Sequence, residues 1–397
     1  MPIVCRCRAD LEHEMAGISA SPAGTLLMAD KGFAVYLKVF QVPATEANII
    51  KQEMLSLGCD AAVSAGCCNR SVTYSDVLLL GDRKRYRLFA DKLKSQDFRF
   101  LRELGNALDA YPGLEQIPGF RACGRFFPAD RRYVAGILNL TPDSFYAGSR
   151  VQGLREVLNR AEKMASDGAD LLDVGAESTR PGAMRLDASD EINRLRDILP
   201  ELRRQIPLPL SIDTYKSEVA RWCMDLGCEI VNDISGLDFD PGMAEVLATG
   251  ESAVVLMHIK GTPVDMQQNP FYHDVISEVY FELERKRGCA IAAGISPDRI
   301  ILDPGIGFGK RLEDNYAVLR NLPVMRGLGS PLMLGVSRKS LIGKVLDNQP
   351  EERLNGTAVL NTLCLSGGAD ILRVHDVKEA KEAVKLFAAF ESGGNYG

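Results

Sequence analysis

Between residues 134 and 376 the chain repeats one pattern eight times: a short apolar stretch runs straight into one or two polar residues suited to catalysis. The stretches end at Gly136-Ile137-Leu138-Asn139, Leu171-Leu172-Asp173, Leu210-Ser211-Ile212-Asp213 and Ile230-Val231-Asn232-Asp233. They continue with Val254-Val255-Leu256-Met257-His258, Ile301-Leu302-Asp303, Leu334-Gly335-Val336-Ser337-Arg338-Lys339 and Ile371-Leu372-Arg373-Val374-His375. Short continuous apolar runs read as parallel strands covered on both faces. Eight of them with helical patterns between predict an α/β fold, a closed (β/α)8 TIM barrel. Catalytic groups in that architecture sit at the C-terminal ends of the strands, so the polar residues here are candidates for one shared site.

The intervening helices carry the usual start and stop signals. Val151–Asp167 ends at Gly168, Tyr215–Leu226 at Gly227 and Phe271–Ala293 at Gly294. A helix with Ser189 as N-cap runs to about Gln205, and Glu351–Leu365 and Val377–Phe390 are the last two. This barrel is expected over residues 132–392. The turn-rich stretch from Tyr111-Pro112-Gly113 to Phe127-Pro128-Ala129-Asp130 reads as a connector. Residues 1–125 then form a small α/β N-terminal domain, with strands at Phe33–Phe40 and Val72–Leu80, a helix at Thr45–Leu57 and a basic helix from Arg83. A structural or dimer-related role is expected for it.

A net charge of −6 argues against nucleic acid as the main partner, because phosphate backbones need a basic face. No apolar run reaches the roughly 18 residues of a membrane span, and the first residues lack a signal-peptide core, so the cytoplasm is the expected location. The ten cysteines are then read as reduced thiols, since Cys5-x-Cys7 and Cys67-Cys68 lack metal-site spacing.

Several strand ends carry specific chemistry. Asp303-Pro304-Gly305-Ile306-Gly307-Phe308-Gly309-Lys310 is a glycine-rich turn that lets backbone approach a ligand, and no Ser or Thr follows the lysine as in a phosphate-binding P-loop. Glu177-Ser178-Thr179-Arg180-Pro181-Gly182 puts an arginine over the barrel mouth, where it can clamp phosphate. Ser337-Arg338-Lys339-Ser340 combines positive charge with a helix start, an anion site. Arg373 and His375 share one strand face by period-two alternation, a pair suited to pyrophosphate. Asp173, Asp213 and Asp303 with Asn232 suit a flat, hydrogen-bonding heterocycle; a helix-capping aspartate is the alternative for each singly. His258 reads as a satisfied strand-end histidine and Trp222 as a packing residue.

These segments together resemble the dihydropteroate synthases, the folate-pathway enzymes targeted by sulfonamides. The resemblance covers roughly residues 132–392. It rests on Gly136–Phe145, Asp173–Gly182, Ser211–Lys216, Asn232–Gly236, Met257–Pro263, Asp303–Lys310, Ser337–Ser340 and Arg373–Val377, in family order. It implies a transferase that condenses 6-hydroxymethyl-7,8-dihydropterin diphosphate with 4-aminobenzoate, with Mg2+ as cofactor and a homodimer as the assembly. By resemblance, Asp173, Asp213, Asn232, Met257, Asp303, Phe308, Lys339 and Arg373 bind the pterin. Thr179, Arg180, Arg373 and His375 surround the pyrophosphate. Phe145, Pro181, Phe308 and Ser340 contact the aminobenzoate, and Asn139 is the protein ligand to Mg2+. Asp213, Asp303, Lys339 and Arg180 are the catalytic set. In place of the family's usual Ser-Asp-Gly-Gly after Phe145 this chain has Tyr146-Ala147-Gly148-Ser149, without the loop carboxylate. A pterin-binding methyltransferase is the alternative, since it shares the pterin pocket but has no need of Arg180 or the Arg373/His375 pair. A non-catalytic pterin-binding barrel is a third reading, supported only by the missing carboxylate.

Overall fold

The computed structural model describes residues 34–109, 111, 117–140, 150–177 and 185–393, together with Met15, Ser21, Pro22, Thr25 and Met28. The chain divides into two compact units, Met1–Leu114 and Glu115–Gly397. That division falls earlier than residue 125, because part of the expected connector folds with the second unit.

The first unit contains a three-stranded antiparallel sheet, with strands β1 (Ala34–Pro43), β2 (Asp60–Ala62) and β3 (Tyr74–Asp82) in the order β1-β3-β2. Helices Ala44–Ser56, Arg83–Lys94 and Arg99–Asp109 accompany it. Buried Ile50, Met54, Leu79, Phe89, Leu93 and Leu101 form a core of their own. Tyr86 is fully buried there, and its hydroxyl donates to Val35 O at 2.8 Å. The basic helix is therefore amphipathic: Tyr86, Phe89, Ala90 and Leu93 are buried, while Lys92 reaches Glu53 at 2.7 Å.

The second unit opens with a hairpin of β4 (Gly119–Ala122) and β5 (Arg125–Pro128). Phe120 and Phe127 stack at 4.4 Å and share an apolar cluster with Tyr133, Ala135, Leu171, Ile230, Val255, Ile301, Met333 and Ile371. These last residues point inward from the N-terminal halves of the barrel strands, so the hairpin plugs that end.

The barrel strands are β6 (Tyr133–Asn139), β7 (Leu171–Gly175), β8 (Leu210–Asp213), β9 (Ile230–Asp233), β10 (Ala253–Met257), β11 (Ile300–Asp303), β12 (Met333–Leu334) and β13 (Ile371–Val374). All are parallel, paired in chain order from β6 to β11, with β13 joining β6 to β12. A parallel bridge between Leu302 and Leu332 closes the cylinder. Each strand alternates. Leu172, Val174, Ile212, Val231, Leu256, Leu302, Leu334 and Leu372 join the shell beneath the outer helices, and the residues between them face the axis. The same alternation that sends Leu171 and Ile371 into the plugged end sends Asp173 and Arg373 to the open mouth.

The helices follow the expected alternation with local differences. The helix expected from Ser189 to Gln205 is two, Ala188–Leu195 and Leu199–Gln205, with Asp187 rather than Ser189 at the N-cap. Pro200 in the first turn of the second helix marks the break, since proline suits a helix start and not its interior. Trp222 packs, partly buried, against the barrel core. Among the described residues, no helix is long and apolar enough to cross a membrane.

Candidate active site

Six strand ends converge at the mouth. Asp173, at the centre of β7, is fully buried and accepts from Ser211 Oγ at 2.6 Å, Asn232 Nδ2 at 3.2 Å and Arg373 Nε at 2.5 Å. Arg373 also donates through Nη2 to Asp213 Oδ2 at 2.6 Å. One guanidinium thus serves two carboxylates from strands that lie on the far side of β6. Burial lowers the pKa of Arg373, but Asp173 and Asp213 more than offset this and hold it above the ordinary arginine value.

Asp213 is the most exposed to imbalance. Burial pushes its carboxyl up to about 7, Arg373 opposes this, and Asp173, Glu191 and Asp233 add to it. A single guanidinium shared by two carboxylates cannot neutralise both, which leaves the Asp213 carboxyl easier to protonate. The Oδ1 of Asp213 is buried with no hydrogen-bond partner among the described residues. A buried acceptor left in this condition costs free energy until a donor reaches it.

Asp303, at the end of β11, accepts at Oδ1 from the Gly305 N–H at 2.7 Å. Burial raises its pKa, while Lys339 and the Gly305 hydrogen bond resist. Lys339 follows β12. Its Nζ donates to Ile306 O and lies 4.8 Å above the Phe308 ring. Burial pulls its pKa down to about 8 against the attraction of Asp303. A methyl placed on Gly335 would stand 3.8 Å from both Lys339 Nζ and Arg373 Cβ, so these two cations flank one glycine. Met257 and Phe308 share a small apolar cluster with Tyr215, Ile234, Ile259 and Met266. The mouth therefore joins a polar floor of mixed donors and acceptors to an apolar wall.

Asn139 ends β6. A methyl on Gly175 would meet its Oδ1 at 3.3 Å and Asp213 Oδ2 at 3.6 Å, so both oxygens border the same small space. Among the described residues no three His, Cys, Asp or Glu side chains group as a metal cage. One carboxamide oxygen beside a carboxylate fits Mg2+ bound mainly through water and substrate phosphate oxygens, the usual arrangement for that ion.

The backbone N–H and the Nδ1 of His375 both lie 3.1 Å from Ser337 Oγ, and Arg373 donates to Asp173 and Asp213. Ser340 begins the helix Ser340–Leu346 and is exposed. Arg338, between them, has φ +55° and forms a bidentate pair with Asp376 at 2.8 and 2.7 Å. Phe145, Thr179, Arg180 and Pro181 lie outside the described residues, as does the Tyr146–Ser149 departure. Glu177, just before that second segment, accepts from Leu186 N at 3.2 Å and from Tyr215 OH at 2.9 Å. Two positions were given no role in the sequence: Ser211, which sits two residues before Asp213 on the same strand face, and Lys310, whose amino group turns under the glycine-rich loop.

With this geometry in place, the comparisons are specific. The profile of the pterin binding enzymes matches residues 135–375, more than half of the chain. A dihydropteroate synthase of Synechocystis is 44% identical over 257 residues, which is 64% of this chain and 89% of the relative. A probable bifunctional folylpolyglutamate synthase/dihydropteroate synthase of Halobacterium salinarum is 37% identical over 388 residues, 97% of this chain and 46% of the relative. The N-terminal unit thus has a counterpart there, and this chain spans about half of that protein. The dihydropteroate synthase of Xanthomonas albilineans solved with 4-aminobenzoic acid superposes with a TM-score of 0.65 at 38% identity, covering 70% of this chain and 99% of that structure. That of Yersinia pestis in a sulfonamide complex gives 0.64 at 37% identity, with 69% and 98% covered. A chain that gathers these residues at one barrel mouth and matches these proteins along the barrel belongs to the dihydropteroate synthase family of pterin-binding enzymes.

Proposed function

We propose that the mouth binds 6-hydroxymethyl-7,8-dihydropterin diphosphate and joins its methylene carbon to the amine of 4-aminobenzoate. The amine nitrogen forms the new C–N bond, the C–O bond to the diphosphate breaks, and pyrophosphate leaves with the electron pair. The proton on the new nitrogen passes to solvent, and the product is 7,8-dihydropteroate. The observation that carries this reading is the buried, unpartnered Oδ1 of Asp213. It is an acceptor at the centre of a donor–acceptor floor, and a pterin ring N–H is the donor it lacks.

Asn232 and Asp173 hold that floor in register, and Arg373 is fixed by Asp173 and Asp213 where it can stack over a ring. Asp303 and Lys339 close the other side, with Phe308 offering an apolar face to both ring systems. A neutral aniline needs no general base before attack. What it needs is a stabilised leaving group, and the carboxylates of Asp213 and Asp303 also favour cationic character at the pterin methylene. Thr179, Arg180, Arg373 and His375 are the groups assigned to the diphosphate, and Phe145, Pro181 and Ser340 to the aminobenzoate. Asn139 is the residue that would hold Mg2+, which when bound supplies positive charge to the diphosphate oxygens.

The proposed enzyme works in the cytoplasm as a homodimer. The last two helices, Leu354–Ser366 and Val377–Glu391, leave Val359, Leu363, Leu386 and Phe390 between 52% and 79% exposed, an apolar outer face that a second copy would cover. The deciding assay incubates the purified chain with the pterin diphosphate, 4-aminobenzoate and Mg2+ and follows pyrophosphate release. Release that depends on both substrates is expected; none at any Mg2+ concentration would refute the synthase reading.

A further inference from the structure

Lys310 is closed off from water, 3% exposed, and the reaction above gives it no task. Its Nζ stands 2.8 Å from His258 Nδ1, 2.9 Å from Gly305 O and 3.3 Å from Phe308 O. Three neutral acceptors therefore surround one amino group. Gly309, with φ +62°, turns the chain so that Lys310 doubles back beneath the loop, and a methyl there would meet Lys260 O at 2.3 Å.

Every carbonyl of the loop from Gly305 to Gly309 has a donor. Lys339 holds Ile306 O, Gln267 Nε2 holds Gly307 O at 2.8 Å and Tyr272 OH holds Gly309 O at 2.7 Å. Lys310 supplies Phe308 O and shares Gly305 O with the Phe308 N–H, which lies 3.1 Å from it. Asp303 and Asp314 face its charge favourably, and Lys339 and Lys286 unfavourably. Burial lowers the pKa of both Lys310 and His258 well below their ordinary ranges, so the imidazole is neutral and has a lone pair to offer.

Stability alone is poorly served by this arrangement. Taking an amino group out of water is costly, and a methionine would fill the space without that cost. What the lysine adds is orientation of the peptide planes on either side of Ile306 and Phe308.

We infer that Lys310, seated against His258, is a positioning residue for the reaction: it fixes the Gly305–Phe308 turn so that Asp303 and Phe308 face the substrates. The inference rests on the synthase reading and deepens it.

The test compares Lys310→Met, His258→Asn and His258→Leu with the parent chain. It measures kcat, both KM values, pterin binding by calorimetry and the melting temperature. Lys310→Met raises the KM for the pterin diphosphate roughly tenfold or more, with a smaller change in kcat, because a displacement of about an ångström at a binding loop is that costly. His258→Leu follows it. His258→Asn, whose carboxamide oxygen replaces Nδ1 as the acceptor, restores KM to within about threefold of the parent. A folded Lys310→Met with parental KM values and pterin affinity, altered only in melting temperature, would overturn the inference. If Lys310→Met does not fold, the histidine pair decides, and equal KM values for Asn and Leu at 258 overturn it as well. A parent chain that binds pterin but releases no pyrophosphate refutes the synthase reading instead, and calorimetry on the variants still reads the loop.

Discussion

Asp213→Asn separates two effects that oppose each other at the mouth. In the folded protein the Asp213 carboxyl has a pKa of about 7, raised first by burial, against a reference of 3.8. The folded chain therefore holds this proton more tightly than the unfolded chain between about pH 4 and pH 7. Its contribution favours folding at low pH and is lost as pH climbs to 7. Roughly three pH units at 1.36 kcal/mol each make this about 4 kcal/mol. Ligand binding has the opposite sign. A pterin N–H needs the ionised acceptor, so below pH 7 binding must first expel the proton, and the pterin Kd rises roughly tenfold per pH unit. At pH 8, removing the charged acceptor costs about 1.5–3 kcal/mol, or roughly 10- to 150-fold in Kd. Calorimetry with a pterin ligand from pH 5.5 to 8.5 measures the second effect, and thermal melts of the ligand-free chain over the same range measure the first. The parent is expected to bind more tightly and melt at a lower temperature as pH rises to 7, and Asp213→Asn to lose the binding slope and keep only a shallower melting slope, since burial also raises Asp303, Asp233 and Glu191. A parent Kd that is flat with pH, or an Asn variant that keeps the parental slope, would refute the assignment of Asp213 as the titrating acceptor.

Lys339 loses its charge above about pH 8, so pyrophosphate release should fall on that alkaline limb; Lys339→Met should be slower by roughly 10- to 100-fold and lack the limb in a pH–rate profile. Gly305→Ala should yield little folded protein, because the new Cβ would stand 1.8 Å from His258 O at φ +67°; a cost above about 3 kcal/mol is expected, and a parental melting curve would contradict the turn geometry. Phe127→Ala removes a buried ring stacked on Phe120 at the plugged end and should cost about 3–5 kcal/mol, lowering the melting temperature by roughly 10 °C while leaving both KM values unchanged. A shift in KM there would mean that plug and mouth are coupled.

The strand ends were legible because a polar residue closing an apolar run must point either to solvent or to a shared interior site. Eight parallel strands leave one such interior. Alternation then fixed which residues face the axis: Asp213 and Ser211 share a face, and so do Arg373 and Ile371. What stayed hidden depends on register between distant strands. Arg373 and Asp173 are 200 positions apart, and nothing local to Arg373 showed that it would serve carboxylates. The hairpin Gly119–Pro128 was read as a connector because of its glycines and prolines; Phe120 and Phe127 were the apolar signal that it was a plug. The strand Asp60–Ala62 is only three residues long, too short to show a period. Lys310 followed a glycine, and its inward course follows from the positive φ of Gly309, which a residue name does not report.

The mouth gathers several ionisable groups out of solvent. Asp173, Asp213 and Asp303 face Arg373 and Lys339, three carboxylates against two cations, in a site whose members are nearly all buried. Burial pushes the Asp213 carboxyl upward, its acidic neighbours add to this, and its Oδ1 has no donor among the described residues. The ligand-free barrel carries that cost in the mouth, and the plugged end and outer shell, apolar throughout, are where it is offset. A ligand that donates hydrogen bonds on its heterocycle edge and develops positive charge at the adjoining methylene relieves both deficits together. The transition state develops more of that charge than the bound substrate does, so the same imbalance that strains the empty site favours the reacting one.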